Sequence, residues 1–387
     1  MKFSRMTVAV TLTSALVLSA CTGDDTTDAG SSPTTEGTTT EASAATAGPE
    51  DDSATSTAEG DATAATGDAD AATGSAAGDE ATATAMTTDE EQAAMSVEDA
   101  EAAAAEVLEA RLATLKADGK KARNASKKAY ASSARAVVTG AEKTESVFGR
   151  SPEAKAKSPA EPNVLAISRD DGEMPVVLLV QTVPKKGEAP VLHLMESPSG
   201  EPEDFRITWE APMLPGTTLP TFDRRSVGTP VLRKGSGDLL TSPKKTLQNL
   251  AKSLTWPRNE ELAEYRTNGY GPAVRRANNN QADAVRDQAT LRERNRLVDD
   301  RITTLVFEDG SAFVTGTITR HTTFTVRDNS ILTPPESFRV FADDGELTDR
   351  AVLRTTVLVG MRVPSEDTRF QPELIAAREQ LVDAWGS

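Results

Sequence analysis

Apolar positions fall into three regimes along this 387-residue chain. Residues 6–20 form an uncharged, mostly apolar run. Residues 22–97 contain no aromatic residue, no Ile and no Leu. From about residue 96 the apolar positions become periodic. Ala104, Leu108, Leu112 and Leu115 recur every three or four residues, which places them on one helix face. Ser96 with Asp99 resembles a capping box at the start, and Gly119 supplies a stop. A second, weakly apolar helix is predicted over 121–138, with Ala122, Ala125, Ala129, Ser133 and Ala136 as its stripe.

The period then shifts from helical to alternating. Residues 164–168, 176–183, 191–195 and 205–211 read as strands of an antiparallel meander, with Asp170-Asp171-Gly172 turning the first hairpin. In the fourth strand, Phe205, Ile207 and Trp209 are expected on one face and Arg206, Thr208 and Glu210 on the other. A Pro- and Gly-rich connection follows, and then the order repeats. Helices are predicted over 243–256 and 280–297, strands near 301–308, 311–327, 337–342 and 350–362, and a last helix over 372–385. The expected fold class is therefore α+β. It consists of two tandem domains, each with helices followed by a four-stranded antiparallel curved sheet, preceded by a disordered linker. The boundaries are 1–20 for a signal peptide, 21–95 for the linker, 96–222 and 243–387 for the domains, and 223–242 for the connector.

Charge changes this picture in one respect. The net charge is −17, yet residues 22–97 carry 17 acidic and no basic residues. From Glu98 onward 40 basic face 42 acidic residues, so the folded part is nearly neutral. The acidic segment, built from Thr, Ala, Ser, Gly, Asp and Glu, cannot bury enough apolar surface to offset the entropy of ordering. As a flexible tether it would reach about 45–50 Å. Its Thr- and Ser-rich runs are either sites for O-linked sugar or a bare solvated spacer.

Lys2 and Arg5 precede the run 6–20, and Leu18-Ser19-Ala20-Cys21 closes it. A basic start, a short apolar segment and small residues before the cut describe a signal peptide, too short for the roughly 20 residues of a spanning helix. The closing residues resemble the lipobox of bacterial lipoproteins. That resemblance implies that Cys21 carries a diacylglyceryl group and becomes the first mature residue, anchoring the protein at the extracytoplasmic face of the cell membrane. Cys21 is the sole cysteine, so no disulfide and no thiolate metal site can form within one chain.

The segments Met213-Leu214-Pro215-Gly216-Thr217-Thr218-Leu219-Pro220-Thr221-Phe222-Asp223 and Gly235-Ser236-Gly237, leading into Ser242-Pro243, resemble those of an uncharacterised family of actinobacterial lipoproteins. The element order is also similar to tandem cone-shaped domains of the nuclear transport factor 2 type. The first resemblance brings no catalytic residues with it.

Phosphate-loop, nucleophile-elbow and zinc-protease motifs are missing. The acidic turns are too short for a calcium loop. Aromatic residues make up 4% of the chain and acids interleave with its bases, which argues against nucleic acid as a partner. On a regular strand, Arg320 falls on the face of Val314, Ile318 and Phe324, where it either reaches a pocket and an anionic ligand or marks a bulge or strand edge. His321 faces the opposite way, with threonines. His193, beside Val191 and Met195, is expected to be structural, though it joins Arg320 and His321 as a candidate ligand contact. No cofactor is expected. The reading that follows is a membrane-anchored binding or scaffold module engaging an envelope protein or glycan, the alternative being a cone-pocket carrier or isomerase-like enzyme.

Overall fold

The computed structural model describes residues 92–183, 188–258, 265–343, 345–368 and 370–387. The signal segment, Cys21 and the linker lie outside them. Ser96 caps α1 (Val97–Lys116): its hydroxyl accepts from the Asp99 amide at 3.0 Å and donates to the Asp99 carboxylate at 2.7 Å. Gly119 opens α2 (Gly119–Ala129) rather than simply ending α1. The helix expected over 121–138 is broken at Tyr130 and Ala131, and α3 (Ser132–Phe148) begins beyond the break. Tyr130 is buried there, and the Ala131 amide donates to the Ile207 carbonyl, so the backbone leaves the helix to join a strand.

Four strands follow: β1 (Asn163–Ile167), β2 (Val176–Thr182), β3 (Val191–Ser197) and β4 (Arg206–Pro212). They pair antiparallel in chain order, as the alternation indicates. A β-bulge interrupts β4. Leu194 faces Trp209 and Met195 faces Ile207, leaving Thr208 as the extra residue. Ile207 and Trp209 consequently point to opposite faces, contrary to the regular alternation expected for this strand. Ile207 joins the helix-side core and Trp209 the opposite one.

The second half contains α4 (Pro243–Ser253) and α5 (Tyr270–Val285), then β5 (Ala289–Leu297), β6 (Thr303–Val306), β7 (Ala312–Val326), the short α6 (Glu336–Arg339), β8 (Arg350–Val363) and β9 (Glu373–Gly386). Its sheet has five strands, in the order β5-β7-β8-β9 with β6 also on β7, not the four expected. Two stretches expected to be helical are strands. Residues 289–297 bury Ala289, Leu291, Glu293 and Leu297 and expose Thr290, Arg292, Arg294 and Arg296, a period of two. Segment 372–385 extends along the edge of β8 as β9, where Leu374, Ile375, Ala376 and Ala377 are all buried. Conversely, the strand expected near 337–342 is the single turn α6, which follows Pro335.

Residues 89–387 form one compact unit. Helices α1 and α3 cover the outer face of the first sheet through Ala104, Leu108, Val138, Leu178 and Ile207. Helices α4 and α5 cover the outer face of the second through Leu247, Leu250, Val274, Val314 and Val357. Between the sheets lies a common apolar layer containing Val177, Leu194, Trp209, Phe313, Leu358 and Ile375. The rings of Trp209 and Phe313 meet edge to face across it, 5.9 Å apart. The segment after β4 runs beside β9, with the Leu214 amide donating to the Ile375 carbonyl at 2.7 Å, and stacks Phe222 on Phe307. Helix α3 packs directly on β9, and a Cβ at Gly140 would lie 2.6 Å from the Leu381 carbonyl oxygen.

Candidate functional site

The β4 bulge turns Glu210 toward the helices, where it is 1% exposed and meets Arg111 of α1 at 2.9 Å. Its other oxygen accepts from Arg378 of β9. Arg111 also pairs with Glu153, on the turn Pro152–Lys155. Burial by itself pushes the Glu210 carboxyl up, but Arg111 and Arg378 override it and hold the group well below the usual carboxylate range. The same burial, reinforced by Glu210, raises the Tyr130 phenol.

His193, opposite Glu210 on β3, completes this cluster. Its Nδ1 lies 3.2 Å from Glu210 and its Nε2 2.9 Å from the Thr182 hydroxyl. A carboxylate, an imidazole and a hydroxyl in series have the connectivity of an activated nucleophile. Here all three side chains are buried, and Glu210 is already engaged by two guanidiniums. Burial pushes the His193 imidazole down, against its hydrogen bond to Glu210. The arrangement fixes both imidazole nitrogens on partners inside the sheet.

A second cluster has the opposite charge pattern. Arg320 of β7, 5% exposed, meets Glu379 at 2.6 Å and Glu293 at 3.4 Å. Its Nε donates to the Asn295 side chain and its Nη2 to the Tyr270 hydroxyl. Asn278 and Thr322 donate to Glu293, each at 3.1 Å, and Tyr270 donates to Glu379. Burial would lower the Arg320 guanidinium, yet Glu379 and Glu293 hold it well above its ordinary value. Burial and Glu379 together raise the Tyr270 phenol. Arg320 thus lies on the apolar face its alternation indicates, but two carboxylates occupy its donors. His321 faces the other way, is exposed, and meets Trp385 edge to face at 5.9 Å. The structure does not bring His193, Arg320 and His321 together at one site.

What joins the two clusters is β9. Arg378 reaches Glu210 and its neighbour Glu379 reaches Arg320, as alternation along a strand allows. Both line a cleft of about 460 Å³ between the C-terminal half of α1, α3 and β9. Leu115, Val138, Ala141 and Pro212 contribute apolar wall, and Arg111, Glu153 and Tyr270 contribute polar wall. The sequence pattern gave no sign of Arg378 and Glu379, which sit in a segment that reads as helix. It placed Glu210 on the face opposite Phe205, Ile207 and Trp209, whereas Glu210 shares the helix side with Ile207. Among the described residues no cluster of metal-ligating side chains occurs, and no helix is long and apolar enough to cross a membrane. The chain matches no family model, no curated protein and no solved structure.

Proposed function

We propose that the chain is a lipid-anchored extracytoplasmic lipoprotein whose folded part binds a component of the cell envelope, with Cys21 as its anchor. The observation that carries this reading is the cleft between α1, α3 and β9. Its walls combine an apolar strip with charged side chains already oriented by internal partners, which limits the entropy lost when a partner docks. In this reading the two halves are cone-type units, 96–222 and 243–387, joined by 223–242. Helices covering one face of an antiparallel sheet in each half support that assignment. The acidic segment 21–95 holds the pair away from the membrane surface. The partner is an envelope protein or glycan.

Crosslinking in intact envelopes tests the site, with Ala141→Arg filling the cleft. A specific adduct present in the wild type and lost in Ala141→Arg supports the cleft, and an adduct retained in that variant rejects it. Cys21→Ser should move the protein from the membrane to the soluble fraction. Retention at the membrane rejects the anchor.

A further inference from the structure

A second cavity, of about 320 Å³, lies between the two sheets. The space between packed sheets is ordinarily apolar, and part of this one is, at Val177, Leu194 and Trp209. The rest of its lining is rich in hydroxyls. Ser132 and Ser133 come from the start of α3, Thr208 from the β4 bulge, Thr303 from β6, and Thr315 and Thr317 from β7. On β7 the inward face changes from Phe313 to Thr315 and Thr317 within two residues.

Glu196 of β3 stands in the same wall. Its hydrogen bond comes from the Thr303 hydroxyl, at 2.9 Å. Burial raises its carboxyl, with Thr303 and Thr208 opposing. The nearby cations are held by other groups. Arg233 pairs with Asp171 and Glu173, and Arg301 donates to Ser132 at 2.8 Å beside Asp300.

We propose that this inter-sheet cavity is a binding site for a small neutral polyhydroxylated ligand, of the size of one sugar ring. Its volume lies at the lower end of the ligand-pocket range of about 300–1,000 Å³. A hydroxyl both donates and accepts. The Thr303 hydroxyl that donates to Glu196, and the Thr317 hydroxyl that donates to Ser133 at 2.9 Å, keep lone pairs for incoming O–H groups. The Glu196 carboxylate, which Thr303 and Thr208 already engage, keeps lone pairs for another. The guanidiniums of Arg233 and Arg301 oppose a cationic ligand, and Glu196 with Asp300 opposes an anionic one. Met174, 54% exposed, lies in the same lining and offers an apolar contact for the C–H face of a ring. This site is separate from the α1/α3/β9 cleft and stands or falls without it.

The test titrates the full chain with neutral hexoses and pentoses, and with the amino and uronic acid forms of each sugar that binds, using calorimetry and tryptophan fluorescence. Saturable binding of a neutral sugar is expected, about tenfold tighter than its charged forms and weakened about tenfold by Glu196→Gln or Thr315→Val. Thr317→Val replaces either variant that fails to fold. A cavity holding water alone would give no saturation with any sugar by about 10 mM, and that result overturns the proposal. So does a charged form that binds as tightly as the neutral sugar, or unchanged affinity in variants that melt like the wild type.

Discussion

Around Glu210 one acid sits between two arginines, Arg111 and Arg378. Around Arg320 one arginine sits between two acids, Glu293 and Glu379. Both centres are buried, both draw a partner from β9, and those partners, Arg378 and Glu379, line the same cleft. The inversion of sign matters because a guanidinium keeps its proton at any ordinary pH, while a carboxylate can take one up. If Glu210 is lost, the first cluster keeps one carboxylate, Glu153, for two guanidiniums that hold their protons. The second cluster, without its arginine, keeps Asn278, Thr322 and Tyr270 as donors to its two carboxylates.

Glu210→Gln should therefore give the largest effect. It leaves two guanidiniums, Arg111 and the partly exposed Arg378, with Glu153 on Arg111 as the carboxylate that remains, at a cost of about 3–5 kcal/mol by denaturant unfolding. The wild-type contribution of Glu210 is full above the ordinary carboxylate value of 4.5. It is lost progressively as pH falls from there through the depressed folded value, so the variant's deficit should narrow across that range. Arg320→Met should cost about 3 kcal/mol at neutral pH. It leaves Glu293 and Glu379 without the cation they share, but with Asn278, Thr322 and Tyr270 still donating to them. A Glu210→Gln deficit no larger than that of Arg320→Met would erase the distinction.

Gly140→Ala probes the joint between the two regions rather than either charge centre. The new Cβ meets the Leu381 carbonyl oxygen, so α3 must lift from β9, at a cost of about 1–3 kcal/mol read from the melting temperature. The smallest effect is expected from His193→Asn, at about 1 kcal/mol at neutral pH. The unfolded chain binds a proton near the ordinary histidine value of 6.5, and the buried imidazole does not. Stability is thus full above about 6.5 and falls as pH drops below it. His321, also lowered by burial and then by Arg354, adds to that slope, so His193→Asn should flatten it without abolishing it. An unchanged slope would mean that burial does not lower the His193 imidazole.

Much of the first half was legible in the sequence. The cap at Ser96, the hairpin at Asp170-Asp171-Gly172 and the order of β1–β4 are set by neighbours within a few residues. The face assignment of β4 was not, because one extra residue at Thr208 reverses every side chain after it. Glu210 owes its burial to that reversal. Arg320 was placed on the correct face by alternation alone, but its partner Glu379 lies 59 residues away on β9. No local pattern reports a pairing of that kind.

The sequence by itself determined the mixed helix-and-sheet character of the folded part, its near neutrality and the position of its turns. These follow from side-chain period, charge and backbone preference, which act locally. Tertiary structure alone decided that segments 289–297 and 373–386 are strands. Helix-compatible residues were drawn onto the edges of β7 and β8, where ladder hydrogen bonds and burial outweigh a propensity worth tenths of a kcal/mol per residue. That decision also set Arg378 beside Glu210 and Glu379 beside Arg320. The cleft and both of its buried charge centres exist only once β9 is in place.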